Sequence, residues 1–253
     1  MILPDKKDAL HKVWLYRILG AIADDKNASA DLRFKGGTCA AMLGWLDRFS
    51  VDLDFDYTGK TDNLGIEAMR STLENIFKNI GLIIKDQSKN GIQYFLKYEE
   101  REGENEDTRF GRNTVKVEAS FPVSPLNVYE PQRFVEIDRI LTCQNKETMF
   151  AHKLSALTDR FKKTRKIAGR DIYDIHHFFM NGFEYDKAIV EERAGVPVKQ
   201  YLFDTADFIE KNVTEKIIDE DLNALLSPDK FQRLRKVLKR ETVTLLKDEA
   251  ARK

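Results

Sequence analysis

Cysteine is nearly absent: only Cys39 and Cys143 occur, far apart and in no metal-type spacing. That excludes a disulfide framework and a thiolate zinc site, and it fits a reducing cytoplasm. Histidine is scarce as well. The four residues include the neighbours His176 and His177, which face different sides of any helix, so a histidine zinc site is not expected. A net charge of either sign is missing, because 42 Lys and Arg balance 42 Asp and Glu. There is no global positive field for nucleic acid, and a polyanion site has to be a local patch offset by acidic surface elsewhere. No apolar run approaches the roughly 20 residues of a membrane span. The opening MILPDKKDALHK has no apolar core of signal-peptide length. A cytoplasmic protein without a membrane partner is the expectation. Internal repeats and low-complexity tracts are lacking too.

What remains is a globular composition, 42% hydrophobic and 33% charged over 253 residues. The spacing of Leu10, Val13, Trp14, Arg17 and Ile18 predicts a helix from about Lys6 to Ile22, followed by a polar break over Asp24 to Asp31. Leu32-Arg33-Phe34-Lys35 is a short strand candidate that stops at Gly36-Gly37-Thr38, and CAAMLGWLDRF reads as a short helix. VDLDFDY alternates strictly, as a half-buried strand does. TGKTDNLG reads as a loop, and the helical period returns from Ile66 to Ile80. LIIKDQ and IQYFLKY are strands joined by Ser88-Lys89-Asn90-Gly91, where Asn-Gly is a hairpin signal. REGENEDTRFGRN is a charged, exposed loop, VKVEAS alternates again, and RFVEIDRIL gives one more short strand. After about Lys146 at least three helical segments follow, the last from Asp229, with Ser227-Pro228 as its start. The fold class expected is α+β, with domains 1–145 and 146–253, the second all-helical.

In VDLDFDY, Val51, Leu53 and Phe55 share the face expected to be buried, and Asp52, Asp54 and Asp56 share the other. Same-face neighbours sit about 7 Å apart along a strand, close enough for their carboxylates to converge on one or two divalent ions. Asp is a poor strand former, and like charges on one face repel, so without a cation the arrangement costs stability. Mg²⁺ suits such a site, because it takes few carboxylates and keeps positions for water and phosphate. The bland reading is a solvated edge strand. Ahead of it, Gly36-Gly37-Thr38 lies between a strand and a helix. There glycine permits close backbone approach, unpaired N–H groups face an anion, and Thr38 adds a hydroxyl. Lys35 adds charge or is simply surface. An anion-binding turn, a helix and then a carboxylate strand together meet the needs of a nucleoside triphosphate with its metal.

The stretch FKGGTCAAMLGWLDRFSVDLDFDY resembles the polymerase-β-like nucleotidyltransferases, and most of all their bacterial AbiEii/AbiGii toxin branch, down to Arg48-x-Ser50 before Asp52. The resemblance implies a nucleotidyltransferase-fold mixed sheet with flanking helices. It implies that Gly36, Gly37, Thr38, Arg48 and Ser50 serve the triphosphate, and that Asp52 and Asp54 ligate Mg²⁺ or Mn²⁺. Asp56 departs from the required pair and is read as an electrostatic extra or plain surface.

VKVEAS places Lys116, Glu118 and Ser120 on one face. If this strand lies beside that of Asp52, Glu118 becomes a third carboxylate, able to ligate metal or take the proton of an attacking hydroxyl. The family more usually has Asp at this place, and Glu is longer by one methylene. The alternative is a solvent-facing Lys/Glu strand. MFAHKLSALTDRFKKTRKIAGRDIYDIHHF resembles the family in its internal Lys153, then Arg, then Arg170-Asp171-x-x-Asp174. That resemblance implies Lys153 at the triphosphate and an Asp, Asp171 or Asp174, in catalysis. The other account is an interhelical salt bridge from Lys153 to Asp171 or Asp174, or Asp171 as a helix cap. The run RFKKTRK meets an RNA backbone or is a solvated helix end.

The residues and the resemblance together imply an enzyme transferring NMP from an NTP to an acceptor hydroxyl. Asp52, Asp54 and Glu118 are its metal ligands, and Glu118 is its candidate base. Family context adds a toxin of a toxin–antitoxin or abortive-infection pair, a cognate antitoxin encoded nearby, and a tRNA 3′ end, other RNA or protein as acceptor. Two other classes use the same carboxylates or the same fold: a metal-dependent nuclease or phosphohydrolase, and a catalytically silent nucleotide- or RNA-binding module.

Overall fold

The computed structural model describes residues 1, 3, 8–98 and 113–253. Lys6 and nearly all of the charged stretch read as an exposed loop lie outside the described residues. The chain divides into two compact units, Met1–Gln144 and Asn145–Lys253.

In the first unit, α1 (Ala9–Asp24) buries Leu15, Ile18, Leu19 and Ile22 at helical spacing. Asp25 then caps a short α2 (Lys26–Asp31), its carboxylate accepting from the N–H groups of Asn27 and Ala28. Here the expected polar break is a helix. It buries only Ala28, so no apolar period announces it. β1 (Leu32–Lys35) leads into α3 (Gly36–Met42), which begins at the glycines themselves. β2 is Asp52–Tyr57, and α4 is Asn63–Asn79. The cap Asp62, accepting from Gly65 N–H at 2.7 Å, starts α4 inside the segment expected to be loop. β3 (Ile83–Gln87) and β4 (Ile92–Lys97) form the expected hairpin, and β5 is Thr114–Ser120. RFVEIDRIL is not one strand. Arg133 and Phe134 end β6 (Tyr129–Phe134), a 3₁₀ turn spans Val135–Ile137, and Asp138 turns the chain at φ 50° into β7 (Arg139–Gln144).

Among the described residues the seven strands form one mixed sheet in the order β3-β4-β5-β2-β1-β7-β6. β2 is central, antiparallel to β1 and parallel to β5. Registered pairs put Phe34, Phe55, Ala119 and Ile92 in one row of the buried face, and Leu53, Val117 and Tyr94 in the next. Phe77 of α4 packs edge-on to Tyr94 at 5.3 Å, and Phe34 meets Phe134 at 5.5 Å. A fully buried Leu or Phe contributes roughly 1.5–3 kcal/mol. The strand that carries the aspartates is therefore anchored by its opposite face, through Leu53 and Phe55.

The second unit holds α5 (Lys146–Thr164), α6 (Gly169–Met180), α7 (Lys187–Ala194), α8 (Val198–Asn212), α9 (Glu215–Leu222), α10 (Pro228–Leu234) and α11 (Leu238–Arg252). Asn145 caps α5 by accepting from Thr148 N–H at 2.9 Å. Phe150 stacks on Phe178 at 4.8 Å, holding α5 to α6. The expected C-terminal run is two helices, α10 and α11. Pro228 opens α10, and the Ser227 side chain makes no capping bond. No helix among the described residues is long and apolar enough to cross a membrane.

Candidate active site

The alternation of β2 decides which groups face outward. Leu53 and Phe55 are buried, while Asp52 and Asp54 are half-buried on the other face. Register sets their neighbours. Lys35 of β1 lies opposite Asp54, Asp54 lies beside Glu118 of β5, and Glu118 lies opposite Gln93 of β4. One polar row, Lys35–Asp54–Glu118–Gln93, thus crosses four strands. Lys116 stands beside Asp52 in the next row.

The glycine turn is built against this row. Gly36 has φ +81°, and a Cβ placed there would stand 2.5 Å from Asp54 Oδ2. A Cβ on Gly37 would stand 2.9 Å from Ser50 Oγ and 3.1 Å from an Arg48 guanidinium nitrogen. Gly36 requires glycine for its backbone angle and for its neighbour, while at Gly37 a side chain would press on Ser50 and Arg48. Arg48 is buried and donates from Nη1 to the Phe49 carbonyl at 2.9 Å. Thr38 is buried, and its hydroxyl donates to the backbone carbonyl of Asp52. A hydroxyl has one proton to give. In this geometry the Thr38 hydroxyl ties α3 to β2. Gly36, Gly37, Thr38, Arg48, Ser50, Asp52 and Asp54 are therefore in one place, with Glu118 in register beside them.

Glu118 is paired with Lys116. Burial pushes its carboxyl up, but the hydrogen bond and charge of Lys116, a hydrogen bond from Gln93 and the charge of Lys35 outweigh burial and hold it below its ordinary value. Among the described residues no group of three or more His, Cys, Asp or Glu side chains is assembled to hold a metal ion. Asp52 and Asp54 put two carboxylates on adjacent same-face positions of β2. Hard divalent cations prefer that chemistry.

Asp56 decides between the two readings the sequence left open, electrostatic extra or plain surface. It is 3% exposed, so it is not plain surface. Its Oδ1 accepts from Lys35 Nζ at 2.6 Å. Its Oδ2 accepts from Gln144 Nε2 at 2.7 Å, Tyr129 Oη at 2.9 Å and Asn127 Nδ2 at 3.2 Å. Sequence reasoning missed this cluster because three of the donors come from β6, β7 and the turn before β6. Gln93 was legible from the alternation of its strand, but its place beside Glu118 required the register.

Lys153, Asp171 and Asp174 belong to the helical unit. Lys153 Nζ of α5 pairs with Asp174 of α6 at 2.7 Å. Arg160, two turns along α5, pairs with Asp171 at 2.7 Å and 3.3 Å. Asp171 lies within the first turn, not at the cap, which is Ala168. The following run is exposed at Lys162, Lys163, Arg165 and Lys166.

A mixed sheet carrying a glycine turn packed on an Asp-x-Asp strand is the architecture of the nucleotidyltransferase class. A solved H. pylori protein described as a candidate nucleotidyltransferase has the same fold, with a TM-score of 0.60, 20% identity, and 98% of each chain covered. The pattern of the family described as nucleotidyl transferase AbiEii toxin, type IV TA system, matches residues 17–243, and the chain belongs to that family. No curated protein matches the chain.

Proposed function

We propose that the chain transfers a nucleoside monophosphate from an NTP to an acceptor hydroxyl at the face carrying Asp52 and Asp54. The observation that supports this most is the packing of the Gly36-Gly37 turn on Asp54, Ser50 and Arg48. It joins a close-approach backbone to a carboxylate pair, as a metal-bound triphosphate needs. Asp52 and Asp54 hold the divalent cation, Mg²⁺ or Mn²⁺. When bound, that ion neutralises charge at the α-phosphate and on the leaving group. The N–H groups at Gly37 and Thr38 meet phosphate oxygens, while Arg48 and Ser50 brace the turn from behind. The acceptor oxygen attacks the α-phosphorus, the bond to the bridging oxygen of the β-phosphate breaks, and pyrophosphate leaves. The acceptor proton passes to Glu118, the carboxylate in register beside Asp54.

Lys153 is ion-paired within its own unit, and a triphosphate oxygen is an alternative acceptor for its ammonium, the role the family resemblance implies. Asp171 and Asp174 then set the charge balance of that lysine and of Arg160. The family description, a toxin of a type IV toxin–antitoxin system, implies a cognate antitoxin. An RNA such as the 3′ end of tRNA is our proposed acceptor.

The products separate this reading from its competitors. With Mg²⁺, each NTP and total RNA, nucleotidyl transfer releases pyrophosphate. A phosphohydrolase releases inorganic phosphate from NTP. A nuclease shortens RNA with NTP intact, and a silent module does none of these. Pyrophosphate release that disappears in Asp54→Asn supports the proposal, and phosphate release or RNA shortening in its place sinks it.

A further inference from the structure

Asp56 is more than a satisfied buried carboxylate. Three neutral donors, from Asn127, Tyr129 and Gln144, all fall on Oδ2. An asparagine could offer its carbonyl oxygen to the same three. The negative charge is needed only at Oδ1, where the partner is the Lys35 ammonium. Burying a carboxylate is costly, and the cost is offset only when a cation completes the pair. Asp56 is thus held rigidly from one side and holds Lys35 on the other.

Lys35 is not buried with it; its side chain is 22% exposed. It precedes Gly36, lies opposite Asp54 in register, and its charge reaches Glu118 on the far side of that strand. Asp52, Asp54 and Glu118 put three negative groups on a face that, under the nucleotidyl-transfer reading, receives a polyanion. A fixed ammonium in the same row relieves that repulsion. Lysine is suited to the task as a compact point charge with donors in several directions.

We propose that Asp56 and Lys35 form a positioning pair: Asp56, clamped by Asn127, Tyr129 and Gln144, holds the Lys35 ammonium on the face that carries Asp54 and Glu118, as a fixed cation for the polyphosphate of the bound nucleotide. This rests on the nucleotidyl-transfer reading of the same site. Lys35 touches the substrate, and Asp56 acts through Lys35.

The test is calorimetric titration of the full chain with the magnesium complexes of ATP, GTP, CTP and UTP, with thermal melting run in parallel. The variants are Lys35→Met, Lys35→Arg, Asp56→Asn and the double Lys35→Met/Asp56→Asn. Wild type should bind at least one complex. Lys35→Met and Asp56→Asn should each weaken it on the order of tenfold or more, as expected for loss of a charged hydrogen bond to phosphate. The double variant should be no weaker than the singles, and Lys35→Arg should keep most of the affinity. Affinity unchanged in Lys35→Met or in Asp56→Asn, with wild type binding, overturns the pair and leaves the nucleotidyl-transfer reading standing. If Asp56→Asn does not fold, Lys35→Arg decides: an affinity as low as that of Lys35→Met overturns the proposal. A wild type that binds none of the four removes both readings together.

Discussion

Gly36 leaves the site almost no tolerance. At φ +81° an alanine is strained by about 1–2 kcal/mol, and its methyl would meet Asp54 Oδ2 at 2.5 Å. Gly36→Ala should lower the urea-unfolding free energy by about that amount and, because Asp54 has to move, abolish nucleotidyl transfer. Stability loss with full activity would mean that Asp54 is not held where the account needs it. His11 acts from behind β2. The Val51 carbonyl can only accept, so Nε2 carries the proton, donated at 2.9 Å, and Nδ1 accepts from the Tyr98 hydroxyl at 3.1 Å. Burial lowers the His11 pKa, against a smaller upward pull from the Val51 bond. The folded state therefore binds this proton less readily than the unfolded state. The contribution to stability is complete above the unfolded value of about 6.5 and is lost as pH falls from there toward the folded pKa. The urea midpoint should drop between about pH 7 and pH 5, and the drop should shrink in His11→Phe; equal slopes in the two proteins would remove His11 as its source. At this scale the sequence was informative where chemistry follows from alternation alone. Asp52 and Asp54 were legible because period two puts them opposite Leu53 and Phe55. Asp56 obeyed the same alternation, but the choice between an electrostatic role and plain surface was not legible, because its surroundings are made by residues more distant in the chain.

Elements were legible in proportion to the apolar stripe they bury. α4, with Met69, Leu73, Ile76 and Phe77 buried, stood out. α7 buries only Ile189 and Val190, and α2 only Ala28, so neither shows a helical period. The α5–α6 pairing was half legible. The spacing put Lys153 and Arg160 on one stripe and Asp171 and Asp174 one turn apart, but which lysine or arginine meets which aspartate depends on how the helices slide. Asp174 is fully buried and Lys153 is 15% exposed, so the pair is strongly interdependent. Removing one partner strands a buried charge, at a cost of about 3–5 kcal/mol, while an apolar pair of similar volume restores much of it. Lys153→Met should lower the unfolding free energy by about that amount, and Lys153→Met/Asp174→Leu should recover most of the loss. If the double variant refolds and still fails to bind magnesium–NTP, Lys153 has the triphosphate role as well. If it binds normally, the pair is purely structural.

For the whole molecule, the balance of 42 basic and 42 acidic residues removed a global attraction to nucleic acid and focused attention on local sites. The α+β class and the helical second half were readable from the change of period near residue 145. The strand order was not. β1 pairs with β7 across most of the first unit, and such long-range pairing leaves no local trace. The separation of β6 from β7 was hidden for a related reason: a 3₁₀ turn over Val135–Ile137 and the left-handed Asp138 interrupt an otherwise continuous strand-like run. The family pattern spans residues 17–243 and so includes parts of both units. The most direct measurement is therefore made on the intact protein, wild type and Asp52→Asn/Asp54→Asn, incubated with Mg²⁺, total tRNA and each NTP labelled at either the α- or the γ-phosphate. The account predicts that α-label enters RNA with wild type alone while γ-label leaves as pyrophosphate. Label entering RNA from the γ-position, or α-label incorporated equally by the double variant, would contradict it.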